Sequence, residues 1–204
     1  MSPAPLTAQI AQLKRQHILN AAIELIAEQG YQHTTIKQIA ARAGMADGTI
    51  YNHFANKDAL LFAILEQLSE AEIREVHFAE AESLLPEVFL SEYVTHRMQE
   101  IDESFAVYKA IAPEIFTNSA LAQAAYDNIY APGFAIAEQY FQRLMDTGKM
   151  PGGMPSGDPA IAARLFASPI MGILLLRLMG DRHVIENWAA YTQPLIQFMQ
   201  TRQP

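Results

Sequence analysis

The side chains best suited to chemistry in this chain lie in the stretch 43–54, AGMADGTIYNHF. Thr49, Tyr51 and Asn52 bring three hydrogen-bonding groups into one helical turn, among residues that are otherwise small. An asparagine amide can pair with adenine, threonine can contact a thymine methyl group or a phosphate, and a phenol can donate to a phosphate. On the exposed side of a helix, these side chains would suit contact with double-stranded DNA.

One carboxylate, Asp47, stands in the middle of this stretch, where it would repel phosphate. It can cap a helix that begins here, since the preceding Ala46 has no side chain able to do so. Alternatively, it can accept a hydrogen bond from the amino group of a cytosine. We favour the capping role.

The formal net charge of −8 is unevenly distributed over the chain. Residues 1–60 contain five basic side chains and four acidic ones, so their net charge is +1 and the remainder carries −9. Because phosphate contacts supply most of the non-specific affinity for DNA, a polyanion is expected to bind the first part of the chain.

Several other classes of protein lack support in the sequence. There is no cysteine, which excludes disulfides and thiolate metal sites. The six histidines show no metal-ligand spacing, and neither a Gly-x-Ser-x-Gly motif nor a phosphate-binding loop is present. The paired carboxylates of Glu80 and Glu82 are typical of a solvated surface. We therefore expect no enzyme activity, no metal and no cofactor.

Apolar residues recur every three or four positions and nowhere alternate with a period of two, which predicts an all-α fold of about nine helices. The first helix is expected over 8–29, ending at Gly30, and the second begins at an N-cap, Thr35. A third is expected over 46–53, and a fourth begins after Asn56 and continues to about residue 82. Near the other end, helices are expected from the N-cap Asp158 to about residue 180 and over 185–200.

The segment 35–57 has the composition of a helix-turn-helix. Gly44 allows a tight turn, and Ala40 one turn earlier lets two helices cross closely. Ile39, Met45, Ile50 and Phe54 supply the apolar wedge around that crossing. A plain helical hairpin would have much the same pattern.

The run GYQHTTIKQIAARAGMADGTIYNHFANKDALL resembles the DNA-binding domain of the tetracycline-repressor (TetR) family of bacterial regulators. The shared positions are Gly30, 34–35, 39–40, 43–44, 48–51, 53–54 and 57–60, which cover about the first third of the chain. The sequence departs from the family pattern at Ala46 and Asp47, where members often have serine followed by lysine. The rest of the chain resembles the family only in size and helical character.

The resemblance implies a three-helix helix-turn-helix domain over 1–56, with 1–8 disordered, and a larger helical ligand-binding and dimerisation domain over 57–204. It implies a homodimer that places two recognition helices in a near-palindromic operator. The residues expected at the DNA are Thr35, Lys37, Ala46, Asp47, Gly48, Thr49, Tyr51, Asn52, His53 and Lys57. Of these, the family's phosphate-contacting positions are Thr35, Tyr51, His53 and Lys57.

A small-molecule effector is implied for the second domain, which is rich in aromatic residues and methionine. Such residues can line a cavity, although most of them normally form core. The candidate lining residues are His96, Met98, Phe105, Tyr108, Phe116, Tyr126, Tyr130, Phe134, Phe166 and Ile170. Tyr126 and Tyr130 lie one turn apart, with His96 and Arg97 as candidate polar partners.

The last two expected helices carry more apolar residues than one buried face needs, so a subunit partner is expected to cover them. In the family this pair of helices forms a four-helix bundle between subunits. The candidate interface residues are Leu165, Met171, Leu175, Leu178, Met179, Trp188, Leu195, Phe198 and Met199. Pro169 is expected to kink or locally open the first helix of the pair.

The most apolar run, 165–176, is shorter than a membrane span and is followed at once by Arg177, so we expect a buried helix and no membrane association. The sequence thus predicts a cytoplasmic bacterial transcriptional regulator. It would be a repressor that a small, largely apolar effector releases from its operator. The alternative is a helical adaptor or effector-binding protein that has lost DNA binding.

Overall fold

The computed structural model describes residues 6–69, 77–78, 80–81, 84–152, 154–155 and 157–200. Within these ranges the regular structure is helical and contains no strand, which confirms the all-α fold. Two compact units are formed, one from Met1–Gln67 with Ala106–Ala122 and the other from Leu68–Phe105 with Gln123–Pro204. The domain boundary expected at residue 56 stays a prediction.

Within the described residues, the α-helices have the following order along the chain. They are α1 (Leu6–Gln29), α2 (Ile36–Arg42), α3 (Asp47–Tyr51), α4 (Lys57–Leu68), α5 (Pro86–Glu103), α6 (Phe105–Thr117), α7 (Ser119–Ala125), α8 (Ala131–Asp146), α9 (Pro159–Leu178), α10 (Arg182–Glu186) and α11 (Thr192–Gln200). A π-helical turn, Tyr126–Tyr130, joins α7 to α8, and a 3₁₀ turn, Trp188–Tyr191, precedes α11.

The helix ends of the first unit are those that its local residue types predict. Gly30 adopts a left-handed φ of 82° directly after α1. Thr35 and Gln38 form a reciprocal capping box at the start of α2. Asn56 caps α4, because its Oδ1 accepts the backbone N–H of Ala59 at 2.7 Å. The expected continuation of α4 to residue 82 falls largely outside the described residues.

The turn between α2 and α3 depends on Gly44, which has a φ of 62°. Two backbone hydrogen bonds close the turn, from Gly44 N to the Ala41 carbonyl and from Met45 N to the Ala40 carbonyl. Ala40 is completely buried, as expected for the small residue where two helices cross. Ile39, Ile50 and Phe54 are buried around it, so the expected helix-turn-helix is present.

The second unit has a core of aromatic rings. Phe78, Phe89 and Tyr140 stack within 5.0–5.5 Å of one another, measured between ring centroids. Tyr93 and Phe141 extend the cluster to Phe166 on α9, with centroid distances of 5.4 and 5.8 Å. The cluster therefore joins α5, α8 and α9.

The end of the chain departs from the single helix expected over 185–200. Asp181 caps a separate short helix, α10, and the chain then passes through a 3₁₀ turn before α11. A continuous helix would place Pro194 in its interior, where proline lacks the N–H of the helical hydrogen bond and clashes with the preceding turn. The break instead places Pro194 in the first turn of α11, where that N–H is not needed.

The longest helix of the second unit, α9, starts as expected, with the Asp158 carboxylate accepting the backbone N–H of Ala160 at 2.7 Å. It continues through Pro169 without interruption, although a local opening was expected there. Its 20 residues are apolar enough to cross a bilayer by length and composition alone, in contrast to the expectation from the shorter run 165–176. Only 22 % of its apolar window is buried within the chain, and the expected cover by a subunit partner stays a prediction.

Candidate nucleic-acid interface

The surface of α3 is polar and open to solvent, while its opposite side is fixed in the core. Ile50 and Phe54 are buried, whereas Ala46, Asp47, Gly48 and Asn52 are exposed. Tyr51 exposes 56 % of its surface, so its phenol hydroxyl is accessible to a binding partner. Thr49 and His53 are half-buried at the edge of this face. The structure therefore brings the expected base-reading residues together on one side of α3.

Asp47 does not cap α3, so the capping role that we favoured from the sequence is wrong. The N-cap is Ala46, which has an extended backbone and makes no side-chain hydrogen bond, and Asp47 is already the first helical residue. A side chain at that position lies past the point from which it could accept the free N–H groups of the first turn. Among the described residues, the Asp47 carboxylate has no hydrogen-bond or ion-pair partner.

Thr35, expected at a phosphate, uses both of its donors inside the protein. Its backbone N–H and its hydroxyl point to Gln38 Oε1, at 2.8 and 2.9 Å, and its Oγ1 accepts the Gln38 backbone N–H at 3.2 Å. A phosphate at this position would have to compete with Gln38 for those donors. The main role that the geometry gives Thr35 is to fix the start of α2.

Lys57, also expected at a phosphate, is turned toward the protein. Its Nζ donates to the Tyr31 carbonyl and lies 3.9 Å from the centroid of the Tyr31 ring. Burial lowers the pKa of Lys57, and the nearby charges of Glu114 and Asp58 partly oppose that shift. Because an ammonium has three N–H donors, this contact leaves others that can meet a phosphate.

Tyr31 is the buried partner in this cluster. Its hydroxyl donates to Asp58 Oδ1 at 3.1 Å, and burial raises the pKa of the phenol, so it stays neutral. Through Tyr31, the first residues of α4 are tied to the loop that follows α1. This role could not be predicted from local sequence patterns, because Tyr31 is 27 residues away from Asp58 and 26 residues away from Lys57.

The basic residues of the first unit are not equally available. Arg42 is held by Glu24 and Glu28, at N–O distances of 3.2 and 2.8 Å, and its hydrogen bond lowers the pKa of Glu28. In the part of the chain that the structure describes, Lys14 and Lys37 are exposed and make no such pair. The count of charges over 1–60 therefore does not reveal which cations can meet a phosphate.

A contact that the sequence could not predict links the loop after α1 to α6. The Gln32 amide donates to Glu114 Oε1 at 2.6 Å across 82 residues of sequence. Residues 106–122 accordingly belong to the same compact unit as the helix-turn-helix. A segment distant in sequence thus forms part of the framework that supports α3.

The residues expected to line an effector pocket are spread over different environments. Met98, Phe166 and Ile170 are buried, and Phe116 and Tyr126 are exposed. Phe105 stacks on Arg177 and Phe134 on Arg164, with guanidinium carbons 4.0 and 4.8 Å from the ring centroids. Tyr108 and Tyr130 are half-buried, and Tyr108 and Phe116 belong to the first unit. This pocket assignment stays a prediction.

A cavity of about 230 Å³ is present in the second unit, and it shares one residue, His96, with the expected set. Its lining residues are His77, Glu80, Leu84, Phe89, Glu92, Tyr93 and His96. Four of them lie on α5, namely Phe89, Glu92, Tyr93 and His96. Their positions i, i+3, i+4 and i+7 are those of residues on one side of a helix. That spacing was a sequence signal for the cavity, and it was missed.

The expected dimer residues divide into two groups. Leu165, Met171, Leu175, Met179 and Phe198 are exposed, and Leu178 is half-buried. Trp188, Leu195 and Met199 are instead buried within the chain, so their assignment to the surface was wrong. The reason is their packing beside α5, where the Trp188 Nε1–H donates to the Met98 carbonyl at 2.9 Å.

No group of three or more histidine, aspartate or glutamate residues that could hold a metal ion occurs among the described residues. What the fold and this surface define is a helix-turn-helix DNA-binding protein. Its features are a short second helix, a glycine turn and a third helix with one polar, exposed side.

Comparison with known proteins agrees with this class. Residues 18–64 match the family model of bacterial regulatory proteins, tetR family. Over 175 residues the chain is 29 % identical to the HTH-type transcriptional regulator AcrR of Shigella flexneri, covering 81 % of this chain and 80 % of AcrR. The matched domain and the similarity along most of the chain support a TetR-family DNA-binding transcriptional regulator.

Solved structures show the same fold over nearly the whole chain. GusR of Salmonella enterica has 26 % sequence identity and a TM-score of 0.70, with 98 % of both chains covered. FadR of Bacillus subtilis, solved in complex with stearoyl-CoA, gives a TM-score of 0.74 at 20 % identity, covering 93 % of this chain and 99 % of FadR. AcrR and FadR are both transcriptional regulators.

Lys57 contacts Tyr31 whereas Lys37 is exposed, so the two lysines should contribute differently to the stability of the fold. Lys57→Ala removes a charged donor from the Tyr31 carbonyl, so we expect the free energy of unfolding to fall by about 1–2 kcal/mol. Lys37→Ala, at an exposed position, should change it by less than about 0.5 kcal/mol. Urea denaturation at one fixed protein concentration measures both variants. Equal stability of the two variants would contradict a structural role for Lys57.

Proposed function

We propose that the chain is a homodimeric repressor that binds a near-palindromic operator and is released by a small, largely apolar effector. The observation that carries the proposal is the exposed polar side of α3, held by a glycine turn over a buried apolar wedge. In a helix-turn-helix protein, such a side enters the major groove, where base edges can be read. Because bacterial DNA lies in the cytoplasm, we propose that compartment as well.

At the operator, we assign phosphate contacts to Lys37, Tyr51, His53 and Lys57. Thr35 can contribute only when its hydrogen bonds to Gln38 are broken. Each offers an N–H or O–H donor at the edge of the α3 surface or at the start of a neighbouring helix. Lys37 is the simplest case, since it is exposed and has no partner among the described residues. These contacts position the protein and carry little information about sequence.

Base reading is assigned to Ala46, Asp47, Thr49 and Asn52, and Gly48 lets the backbone approach the groove. The loss of the capping role leaves base recognition as the role that we propose for Asp47. A carboxylate near phosphates is unfavourable unless it accepts a hydrogen bond from an exposed amino group, and cytosine N4 presents one in the major groove. The same acid also interacts favourably with the N-terminus of α3.

A gel-shift assay of the full chain with the DNA upstream of its own coding sequence tests the proposal. We expect a retarded complex at low salt that weakens steeply as salt is raised, because phosphate contacts release counterions. The control is the same DNA with the two half-sites scrambled. A folded dimer that shows no retardation at low salt would contradict the proposal and favour the adaptor that has lost DNA binding.

Selection of binding sites from a random library separates base readers from phosphate contacts. Asn52→Ala and Asp47→Ala should each relax the preference at one position per half-site, a change of about 1–3 kcal/mol in discrimination. Lys37→Ala is the control, because losing a phosphate contact should weaken binding to all sequences alike and reduce the salt slope by about 1. If Asp47→Ala weakened binding to all sequences equally, Asp47 would not be a base-reading residue.

We propose that α9 and α11 form the subunit interface. Along α9, Ile161, Leu165, Leu175, Leu176 and Met179 are exposed apolar residues, and Met179 exposes 76 % of its surface. With Gly172, they follow the three- and four-residue spacing of a single helix side. An isologous contact would cover this side in both subunits and would account for a helix that is apolar yet little buried.

Leu175→Glu should convert the dimer to a monomer, because a carboxylate on this side would be buried without a partner at the interface. Leu85→Glu is the matched control, since Leu85 is an exposed leucine of the second unit outside the interface. Sedimentation velocity at micromolar concentration measures both variants. Persistence of the dimer in Leu175→Glu would exclude α9 as the contact.

A further inference from the structure

We propose that the effector bound by this regulator is a small primary amine with one ring, held as a cation in the cavity beside α5. The proposal rests on the function proposed above, and it specifies the chemical class of the effector. The cavity is the 230 Å³ space described above, and its polar groups are Glu80, Glu92, His77 and His96.

The charge of the lining favours a cation. Two of the lining residues are glutamates, and neither lysine nor arginine is among the described lining residues. In the described part of the chain, Glu92 has no ion-pair partner that would neutralise it. A cleft lined by one sign of charge concentrates ligands of the opposite sign. A carboxylate or phosphate effector would meet the like charge of Glu92 here.

The aromatic lining suits the same ligand. The rings of Phe89 and Tyr93 lie 5.9 Å apart, measured between centroids, and both face the cavity as lining residues. Aromatic faces attract ammonium groups, and the attraction strengthens as water is excluded. The same rings offer apolar area to the body of the ligand.

The wall behind these two rings is fixed. Phe89 packs on Phe78 and Tyr140, at centroid distances of 5.1 and 5.0 Å, and Tyr93 packs on Phe166 at 5.4 Å. Burial raises the pKa of Tyr140 to about 12, so its phenol stays neutral and adds no charge near the cavity. Among the described lining residues, Glu92 therefore supplies the carboxylate that faces a ligand without an ion-pair partner.

The His77 imidazole adds a hydrogen-bonding group to the lining. The His77 and His96 rings meet edge to face, with centroids 5.2 Å apart and planes at 88°. A neutral imidazole can accept a hydrogen bond from an ammonium N–H. The cavity thus offers an ammonium group both anionic and neutral acceptors.

The size of the cavity limits the effector. Its volume lies below the range of roughly 300–1,000 Å³ that is usual for drug-sized ligands. A single ring with a short side chain fits such a space. The FadR neighbour was solved with stearoyl-CoA, but at 20 % identity it shares only the fold with this chain.

The test uses three probes of nearly equal shape on the full-length protein. They are 2-phenylethylamine, which is a cation at neutral pH, 2-phenylethanol, which is neutral, and phenylacetate, which is an anion. By isothermal titration calorimetry, we expect the amine to bind at least about tenfold more tightly than the alcohol and phenylacetate not to bind. Equal or tighter binding of the alcohol, or no binding of the amine, would overturn the proposal.

A matched pair of variants assigns the charge to the cavity. Glu92→Gln should weaken amine binding about tenfold and leave alcohol binding unchanged. Glu87→Gln makes the same change at an exposed position of the same helix, outside the cavity lining, and should leave both unchanged. Unaltered amine affinity in Glu92→Gln, or equal loss in both variants, would show that the cavity does not hold the ammonium group.

Calorimetry without DNA and the gel shift with DNA separate this proposal from the function on which it rests. Suppose that the protein binds its operator and that the amine binds the protein without releasing the DNA. The amine site is then supported, and the proposal that this amine is the releasing effector is contradicted. If the protein never binds DNA, the repressor function fails, and the calorimetric comparison still decides the class of ligand.

Discussion

The close crossing of α2 and α3 at the Gly44 turn is the constraint on which the rest of the DNA-binding surface depends. Ala40 is completely buried at the crossing, and Gly44 has the left-handed φ of 62° that makes the turn possible. A β-carbon at residue 44 would meet no atom within 4 Å, so the need for glycine is conformational. Because Ile50 fixes one side of α3 in the core, the opposite side is left to Asp47, Tyr51 and Asn52.

The basic side chains of the first unit differ in how far contacts within the protein already occupy them. Arg42 is neutralised by two glutamates, and Lys57 is held partly by Tyr31. Few cations then remain for phosphate, in a chain with a net charge of −8. Since non-specific affinity grows with the number of phosphates neutralised, such a protein should depend more on base contacts than a basic helix-turn-helix protein does.

Features set by neighbouring residues could be predicted from the sequence, and features set by distant contacts could not. The ends of α1, α2 and α9 follow from Gly30, Thr35 and Asp158, each of which acts within one turn of its own position. The burial of Trp188 depends on a carbonyl 90 residues away, so composition alone wrongly assigned it to an interface. The capping role predicted for Asp47 was wrong by one residue. Because α3 begins at Asp47 itself, the N-cap position falls on Ala46.

Among the described residues, the α3 side and the α9 side are surfaces of opposite chemistry that the chain's own packing leaves uncovered, and their difference fits the roles proposed for them. The α3 side is short and polar, so it can be exposed at little cost until a ligand with many hydrogen-bonding groups arrives. The α9 side is apolar over about five turns of helix, and leaving it in water would forgo about 25 cal/mol for each Å² that could be buried. A permanent partner therefore suits α9 and a reversible one suits α3, which is the arrangement that a dimer able to leave its DNA requires.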